Sequence, residues 1–255
     1  MLLATAFEIK SCMPEGPSIL ILKEECEQFK GRKVLSIEGN SKAGIDRLKG
    51  EKVRDFKSYG KNLFICFKSF SVRIHLMLFG SYRINERKEL APRLSLRFKN
   101  GELNFYTCVV QIIDEPLDTL YDWERDVMNA NWNPAKALAT LKLEPESLAC
   151  DALLNQHIFG GVGNIIKNEV LYRIKAHPVS TIKALPAKKL KELVYEARQY
   201  SFDFYHWKKK FELKKHWLVH KQKICRRCNI PIKLEVLGKT KRRTFFCYNC
   251  QKLYK

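Results

Sequence analysis

Two cysteine pairs near the end of the chain constrain its fold more than any other feature. Both pairs have C-x2-C spacing and eighteen residues separate them; the cysteines are Cys225, Cys228, Cys247 and Cys250. A C-x2-C turn lets two sulfur atoms approach one ion, and zinc prefers four tetrahedral thiolates. The alternatives are two disulfides or a redox motif, which a basic chain without a secretory signal disfavours. The spacing therefore predicts one structural zinc ion held by four thiolates.

The residues around these pairs predict a small zinc-dependent unit. Residues 232–237 and 242–246 flank Gly238 and predict a β-hairpin that brings the pairs together. Zinc binding would contribute on the order of 10 kcal/mol of folding free energy to this unit. His216 and His220 are an alternative metal pair on a predicted helix, but four thiolates complete the site, so we assign both to the surface or to packing. The other cysteines are scattered through apolar patterns and are predicted to be mostly buried thiols: Cys12, Cys26, Cys66, Cys108 and Cys150.

The charge of the chain indicates a polyanionic partner. The 255 residues carry a net charge of +20, and from His206 onward sixteen lysines and arginines accompany only Glu212 and Glu235. No apolar run is long enough to span a bilayer, and the first seven residues lack the basic start of a secretory signal. We therefore expect a nucleic-acid partner, no membrane association and a cytoplasmic, nucleoid-associated protein. Solubility alone is the alternative explanation of the charge.

The first half of the chain predicts one helix followed by antiparallel strands. Residues 17–30 predict a helix that Ser18 caps and Gly31 ends. Its apolar face consists of Ile19, Leu22, Cys26 and Phe29. From residue 34 to about 113 the pattern has period two with many β-branched and aromatic residues, which predicts a sandwich or barrel. Within it, Asn100-Gly101 predicts a hairpin with a type I′ turn.

The second half predicts a helical domain. The acidic stretch 114–134 is predicted to connect the two domains, and helices are predicted at 134–149, 151–159, 164–174 and 187–223. Three glycines between Phe159 and Asn164 interrupt these helices. Glycines permit close backbone approach to a phosphate, and the N–H groups that begin the next helix favour anions. An ordinary helix–turn–helix connection with an asparagine cap is the alternative.

Three features in this order carry a resemblance to a known family. Met13-Pro-Glu-Gly-Pro17, the glycine-rich turn and the C-terminal cysteine hairpin together resemble the formamidopyrimidine-DNA glycosylase and endonuclease VIII family, over residues 13–255. The resemblance implies an α+β fold: an N-terminal helix with an antiparallel β-sandwich, a helical domain with a helix-two-turn-helix motif, and a zinc β-hairpin finger. The implied domains are a catalytic domain at 13–114, a linker at 115–133, a DNA-binding domain at 134–223 and a finger at 224–255. Residues 1–12 would be an extension that the working protein lacks.

The resemblance also assigns the catalytic residues. The family's N-terminal proline attacks the sugar and the adjoining glutamate is the general acid, which implies these roles for Pro14 and Glu15. An N-terminal amine has a pKa near 8 and so is partly neutral at pH 7. Lys61 matches the lysine that contacts a phosphate beside the lesion. From spacing alone, Pro14 and Pro17 would simply open the first helix.

Further residues are assigned to DNA binding by the same resemblance. Gly163 and Asn164 match the phosphate-binding turn, and Arg242 matches the finger arginine. Arg243 is adjacent, and successive residues of a strand point to opposite faces, so only one of the two can serve. The segment Met77-Leu78-Phe79, which we call the wedge segment, matches residues that fill the space of an everted base, with Leu78 at its centre. A strand end packed in the core is the alternative.

Two departures from the family pattern bear on specificity. Ser18 stands where a second glutamate is common, so a proton-shuttle role is in doubt there. Thr107-Cys-Val-Val-Gln111 lacks the Arg-Phe-Gly element of the oxidised-purine enzymes, which favours the endonuclease VIII branch and oxidised pyrimidines.

The resemblance, together with the basic charge, implies a monomeric glycosylase and abasic-site lyase acting on double-stranded DNA with a damaged base or abasic site. The alternatives are a non-catalytic zinc-finger DNA binder or lesion sensor and an oxidised-purine glycosylase of the same family. A tertiary amide nitrogen has no usable basicity, so the catalytic hypothesis requires a form that begins at Pro14, which translation from Met13 would supply.

Overall fold

A computed structural model describes residues 14–255 of the chain. The expected α+β fold is confirmed. The helices are α1 (Gly16–Cys26), α2 (Leu117–Leu120), α3 (Pro134–Lys142), α4 (Ala149–Leu154), α5 (Asn164–Arg173) and α6 (Ala187–Lys209). The strands are β1 (Ser36–Glu38), β2 (Asp55–Tyr59), β3 (Asn62–Cys66), β4 (Ser71–Ile84), β5 (Leu94–Phe98), β6 (Gly101–Ile113), β7 (Lys233–Leu237) and β8 (Arg242–Phe246).

The chain folds into two compact units. The first contains Cys26–Lys57 and Asn62–Asp114. The second contains Glu15–Glu25, Ser58–Lys61 and Glu115–Lys255. No helix within residues 14–255 combines the length and the apolar character needed to cross a bilayer. Residues 1–13, on which the predicted extension and Cys12 fall, lie outside the described part of the chain.

The first unit is built on a six-stranded sheet in the order β1-β5-β6-β4-β3-β2, in which the pairs β1–β5, β5–β6, β6–β4 and β4–β3 are antiparallel. The alternating pattern of the sequence places aromatic side chains in its core, where Phe29 stacks on Phe98 with ring centroids 4.6 Å apart. The β5–β6 hairpin is confirmed, but Phe98 pairs with Gly101, so its loop is Lys99-Asn100. The predicted type I′ turn is wrong, because neither loop residue has the positive φ that this turn requires.

The predicted first helix is confirmed with a different start. α1 begins at Gly16, a 3₁₀ turn at Glu27–Phe29 follows, and Gly31 adopts a φ of +77° where the chain leaves it. The predicted apolar face is buried throughout. Ser18 does not cap the helix: it lies inside the first turn, and its buried hydroxyl has no hydrogen-bond partner among residues 14–255.

The second unit is helical, and three of its helices end well before their predicted ends. α4 begins at Ala149 and ends at Leu154, whereas the prediction was 151–159. α3 ends at Lys142, shortly before Pro145, and α6 ends at Lys209, where Phe211 adopts a φ of +58°. His216 therefore ends a 3₁₀ turn at Leu213–His216 and His220 follows it, so the pair does not share a helix. The packing role predicted for them is confirmed: His216 stacks on Trp207, and His220 is buried beside Asn168.

A buried carboxylate holds the segment that precedes the cysteine hairpin. Glu169 on α5 has no exposed surface, and its two oxygens accept hydrogen bonds from the backbone N–H groups of Leu218, Val219 and His220 at 2.8–3.1 Å. Burial raises the pKa of Glu169, and the three N–H groups oppose that shift. Helix α5 therefore holds residues 218–220, which directly precede the finger, in a fixed backbone conformation.

Candidate functional site

The centre of the site is the side chain of Glu15 at the N-terminus of α5. Its carboxylate oxygens accept hydrogen bonds from the N–H groups of Ile165 at 2.7 Å and Ile166 at 3.2 Å, and the carboxylate is almost fully buried. The first N–H groups of a helix have no partner within the helix, so a carboxylate there is stabilised. Burial is nevertheless the largest influence and raises the pKa of Glu15, against the lowering effect of Lys61 and of these N–H groups. The site thus holds a carboxyl group with a raised pKa.

The glycine-rich turn fits closely around this glutamate. A Cβ atom on Gly163 would lie 2.6 Å from Glu15 Oε1 and closer still to Cγ and Cδ, although the backbone of Gly163 is in an ordinary extended conformation. Gly161 has a φ of +97°, and its carbonyl accepts a 2.8 Å hydrogen bond from the N–H of Gly16. A Cβ atom on Gly16 would lie 2.9 Å from the Cα of Gly161. These glycines therefore bring Glu15 and Gly16 against the start of α5.

Lys61 is held in place by the turn before it. Gly60 adopts a φ of +57°, and its N–H donates a 3.0 Å hydrogen bond to Oδ2 of Asp126, whose other oxygen accepts from the N–H of Met128 at 2.8 Å. Burial raises the pKa of Asp126 to about 7. Burial also lowers the pKa of Lys61, while Glu15 raises it and Arg242 lowers it. Glu15, Lys61 and Arg242 therefore act on one another within one site.

The two arginines of the finger differ in their contacts with the rest of the site. Both are exposed on β8, where Arg242 pairs with Leu237 and Arg243 with Val236. The charge of Arg242 lowers the pKa of Lys61, which indicates that the two cations are close enough to repel each other. The contribution of Arg243 is a backbone one: its carbonyl accepts a 2.9 Å hydrogen bond from Nδ2 of Asn164.

Asn164 is thus already engaged with the finger. It is buried, and its Oδ1 has no hydrogen-bond partner among residues 14–255. Because the Asn164 amide carries two N–H donors, one remains for an anion after the bond to Arg243. Its contact with DNA stays a prediction.

The tip of the finger hairpin is fastened to α4. The side chain of Asp151 accepts hydrogen bonds from the N–H groups of Lys239 at 2.9 Å and Thr240 at 3.2 Å, and from the Thr240 hydroxyl at 3.0 Å. Gly238 has a φ of +73°, and Asp151 occupies the space that a Cβ there would need. One acidic side chain therefore fixes the turn that presents Arg242.

The four cysteines of the C-terminal pairs converge as predicted. Their Sγ atoms all lie within 4.8 Å of one another, and none is in a disulfide. Cys225 and Cys247 are fully buried, and the Tyr172 hydroxyl lies 3.3 Å from Cys225 Sγ. Four thiolate donors at this spacing can hold a metal ion. Of the other cysteines, Cys26, Cys108 and Cys150 are buried and Cys66 is half-buried.

The wedge segment is exposed on the sheet of the first unit. The register of β4 against β6 shifts between Leu76 and Ser81, so four residues lie opposite Thr107 alone, which adopts a φ of +49°. Met77, Leu78 and Phe79 are 47%, 49% and 71% exposed. A Cβ on Gly80 would lie 2.6 Å from the Met77 nitrogen, so the bulge is tightly folded. The segment is therefore an exposed apolar protrusion and is not packed in the core.

Sequence reasoning missed the buried residues that support the site. Asp126 fell in a stretch predicted to be a connection, yet that stretch contains α2, a 3₁₀ turn at Trp123–Arg125 and the buried Trp132. Asp151 was one acid on a predicted helix, and Lys167 was one lysine among many. Lys167 follows Ile165 and Ile166 in the sequence of α5, and a lysine directly after these apolar residues was the one available signal.

Comparisons with known proteins agree with this architecture. Residues 13–109 match the model of the formamidopyrimidine-DNA glycosylase N-terminal domain. Mouse endonuclease 8-like 3 is 31% identical over 205 residues, which cover 77% of this chain and 34% of that protein. The DNA-(apurinic or apyrimidinic site) lyase Nei2 of Mycolicibacterium smegmatis is 28% identical over 144 residues, or 53% of this chain and 57% of that protein.

The fold is also found in solved structures. The formamidopyrimidine-DNA glycosylase of Lactococcus lactis, bound to DNA containing an abasic site, superposes with a TM-score of 0.82 at 21% identity, covering 93% of this chain and 99% of that one. The superposition shows that this chain has the fold of a formamidopyrimidine-DNA glycosylase. Residues 13–109 belong to the formamidopyrimidine-DNA glycosylase N-terminal domain family, and most of the chain is similar to the endonuclease 8-like proteins. It spans about a third of the length of the first curated relatives it matches.

Proposed function

We propose that this chain is a DNA glycosylase and abasic-site lyase of base excision repair. Its substrate is double-stranded DNA that contains a damaged base or an abasic site. The observation that carries the proposal is the buried Glu15 carboxyl, which directly follows Pro14 and shares one site with Lys61 and Arg242. Such a site offers an acid beside a potential amine nucleophile and two cations for phosphates.

The reaction begins at the nitrogen of Pro14. A neutral secondary amine attacks the sugar C1′, the bond from C1′ to the base breaks, and the base leaves with the electron pair and takes up a proton. The ring-opened sugar is then bound to Pro14 as a cationic iminium. Loss of a C2′ proton expels the 3′ phosphate, and a second elimination expels the 5′ phosphate. Water releases the remaining sugar fragment and restores the amine.

Glu15 supplies the proton for opening the sugar ring. Because burial raises its pKa, Glu15 retains a larger protonated fraction near neutral pH than an exposed glutamate does. Protonation of the ring oxygen lets the C1′–O4′ bond break as the iminium forms. The backbone N–H groups of Ile165 and Ile166 then stabilise the carboxylate that remains.

The cations and the amide groups around Glu15 bind the DNA phosphates. Lys61 and Arg242 bind phosphates next to the everted nucleotide, and Asn164 contributes an amide N–H at the start of α5. The exposed apolar wedge segment around Leu78 enters the space that the base leaves. Because Thr107–Gln111 lacks the Arg-Phe-Gly element of the oxidised-purine enzymes, oxidised pyrimidines are the proposed substrates. We further propose that the protein acts as a monomer in the cytoplasm, associated with the nucleoid.

The metal that fits the four-cysteine cluster is zinc. Cys225, Cys228, Cys247 and Cys250 provide four soft thiolate ligands, and this donor set fills a tetrahedral site without leaving a position for substrate. The ion is therefore structural. It holds together the hairpin that carries Arg242.

The nucleophile requires a form of the protein that begins at Pro14. With residues 1–13 attached, the Pro14 nitrogen is a tertiary amide whose lone pair is delocalised, so it cannot form an iminium. We propose that the working form starts at Pro14, with residues 1–13 removed or never translated. A chain that retains them would bind DNA without lyase activity.

Side-by-side assays of the two forms test the proposal. Both are confirmed by intact mass and incubated with an abasic-site oligonucleotide and borohydride, which traps the iminium. We expect a covalent adduct with the Pro14 form and none with the full chain, while both bind the DNA. Equal trapping by the full chain would show that Pro14 is not the nucleophile, and no trapping by either form would favour the non-catalytic DNA binder.

A further inference from the structure

Helix α5 and strand β8 are joined by a row of polar contacts. Asn164, Lys167 and Asn168 lie at positions i, i+3 and i+4 of the helix and therefore share one face. They contact three consecutive residues of β8. Asn164 Nδ2 donates to the Arg243 carbonyl at 2.9 Å, Lys167 Nζ donates to Thr244 Oγ1 at 2.7 Å, and Asn168 Oδ1 accepts from the Phe245 N–H at 3.4 Å.

Lys167 is the unusual member of this row. It has no exposed surface, and among residues 14–255 its Nζ makes one hydrogen bond, to a neutral hydroxyl, and no ion pair. Burial lowers the pKa of Lys167 to about 8; Cys150, Glu15 and Asp151 oppose this shift, and Arg242 adds to it. A buried ammonium without a carboxylate partner destabilises the folded state, so packing alone does not account for a lysine here.

The hydrogen bond from Lys167 fixes the direction of the next one. An ammonium group can only donate, so Thr244 Oγ1 must act as its acceptor. The hydroxyl hydrogen of Thr244 is then free to point to the Arg242 carbonyl, which lies 3.0 Å from Oγ1. The backbone of Arg242 is therefore held by a relay that starts at a buried charge.

We propose that Lys167 is a positioning residue that acts through Thr244 to hold Arg242 in the orientation that binds a DNA phosphate. This inference rests on the proposed role of Arg242 in DNA binding. Lys167 itself is fully buried and does not touch DNA. Its effect on affinity must therefore disappear when Arg242 is absent.

A double-mutant cycle tests this dependence. Lys167→Met keeps most of the side-chain volume and removes the ammonium group. The dissociation constant for a duplex with an abasic-site analogue is measured for the wild type, K167M, R242A and the double variant. We expect K167M to weaken binding about tenfold, R242A to weaken it at least as much, and the double variant to bind like R242A. The slope of affinity against salt should fall by about one counterion in all three variants.

Additional variants separate positioning from folding and from net charge. Lys188→Met removes the same charge from an exposed position of α6 and should leave the affinity within about twofold of the wild type. Thr244→Val should reproduce the loss seen in K167M, and Thr244→Ser, which keeps the hydroxyl, should not. The thermal midpoint of K167M should equal or exceed that of the wild type, because a purely structural lysine would lower it when removed.

Three results would overturn the inference. The first is an unchanged DNA affinity of K167M, and the second is additive losses of affinity in the double variant. The third is a loss of affinity in K167M that comes with a lower thermal midpoint, if T244S shows the same two changes. A wild type that does not prefer the abasic-site duplex over an unmodified one would instead refute the proposed function. The double-mutant cycle would still test the role of Lys167 in that case, because Arg242 would bind phosphates of either duplex.

Discussion

At the scale of single residues, the site depends on a close contact between a glycine and a carboxylate. The sequence predicted that Gly163 allows a phosphate to approach the backbone. In the structure, the space that a side chain at 163 would need is occupied by Glu15, and Gly163 has no positive φ that would itself require glycine. The glycine is therefore needed for the position of the acid, whatever it also does for an anion.

The first residue-scale prediction follows from this contact. Gly163→Ala should destabilise the folded protein by about 1–3 kcal/mol, because the new methyl group overlaps Glu15. It should also reduce adduct formation by the Pro14 form, because Glu15 must leave the N-terminus of α5. Thermal unfolding and borohydride trapping measure the two effects.

A second substitution provides the control. Glu15→Ala removes the Cγ, Cδ and Oε1 atoms that the methyl group would meet. In that background, Gly163→Ala should therefore cost little or no further stability. If the two stability losses were instead additive, Gly163 would be needed for a reason unrelated to Glu15.

The residues foreseen from the sequence and those missed differ in a physical way. Glu15, Lys61 and Arg242 were found because each lies in a short motif whose order along the chain is itself informative. Asp126 and Lys167 act across separations of 66 and 77 residues, on Gly60 and Thr244. Such contacts exist only once the elements have packed, and neither residue stands in a motif.

At the scale of elements, periodicity predicted the kinds of structure better than their ends. The helix at α5 and the hairpin of β7 and β8 match their predicted positions to within a residue. The prediction for α6 extended 14 residues past its end at Lys209, because the residues that follow are as basic and aromatic as the helix itself. The helix ends next to Phe211, which adopts a positive φ. The sequence has no glycine or proline there that would have predicted this end.

The wedge segment supplies the element-scale prediction. Leu78→Ala should slow excision of a damaged base from duplex DNA more than cleavage at a pre-formed abasic site, because only excision requires a base to be everted. Single-turnover rates on the two substrates measure the difference. The fold should be unaffected, since Leu78 is half-exposed on a bulge.

Another exposed leucine of the first unit serves as the control for Leu78. Leu35 directly precedes β1 and is 50% exposed. Leu35→Ala should leave both rates unchanged. Equal slowing on both substrates by Leu78→Ala would indicate that Leu78 supports the sheet and does not enter the DNA.

At the scale of the whole molecule, composition indicated a partner but not a site. The net charge of +20 favours a polyanion without saying which lysines meet it. The structure separates these roles: Lys167 is buried, Lys61 lies beside Glu15, and Lys88 donates to Ser81 in the first unit. Segments distant in sequence also join one unit, since Glu15–Glu25 and Ser58–Lys61 belong with the helices and the finger. Chain order alone could not predict that grouping.

The whole-molecule prediction concerns the metal. We expect one zinc ion per chain by elemental analysis and a sharp loss of zinc in Cys250→Ala. Cys66→Ala changes a cysteine outside the cluster and should keep a full complement of zinc.

Removing zinc with a chelator should unfold the finger, because the hairpin has only two strands and zinc binding contributes on the order of 10 kcal/mol to its folding. Hydrogen exchange should then rise in residues 224–255 while the six-stranded sheet of the first unit stays protected, and DNA affinity should fall because Arg242 is no longer held. Peptide mapping that found these four cysteines in disulfides, or a zinc-free protein with normal DNA binding, would contradict the assignment.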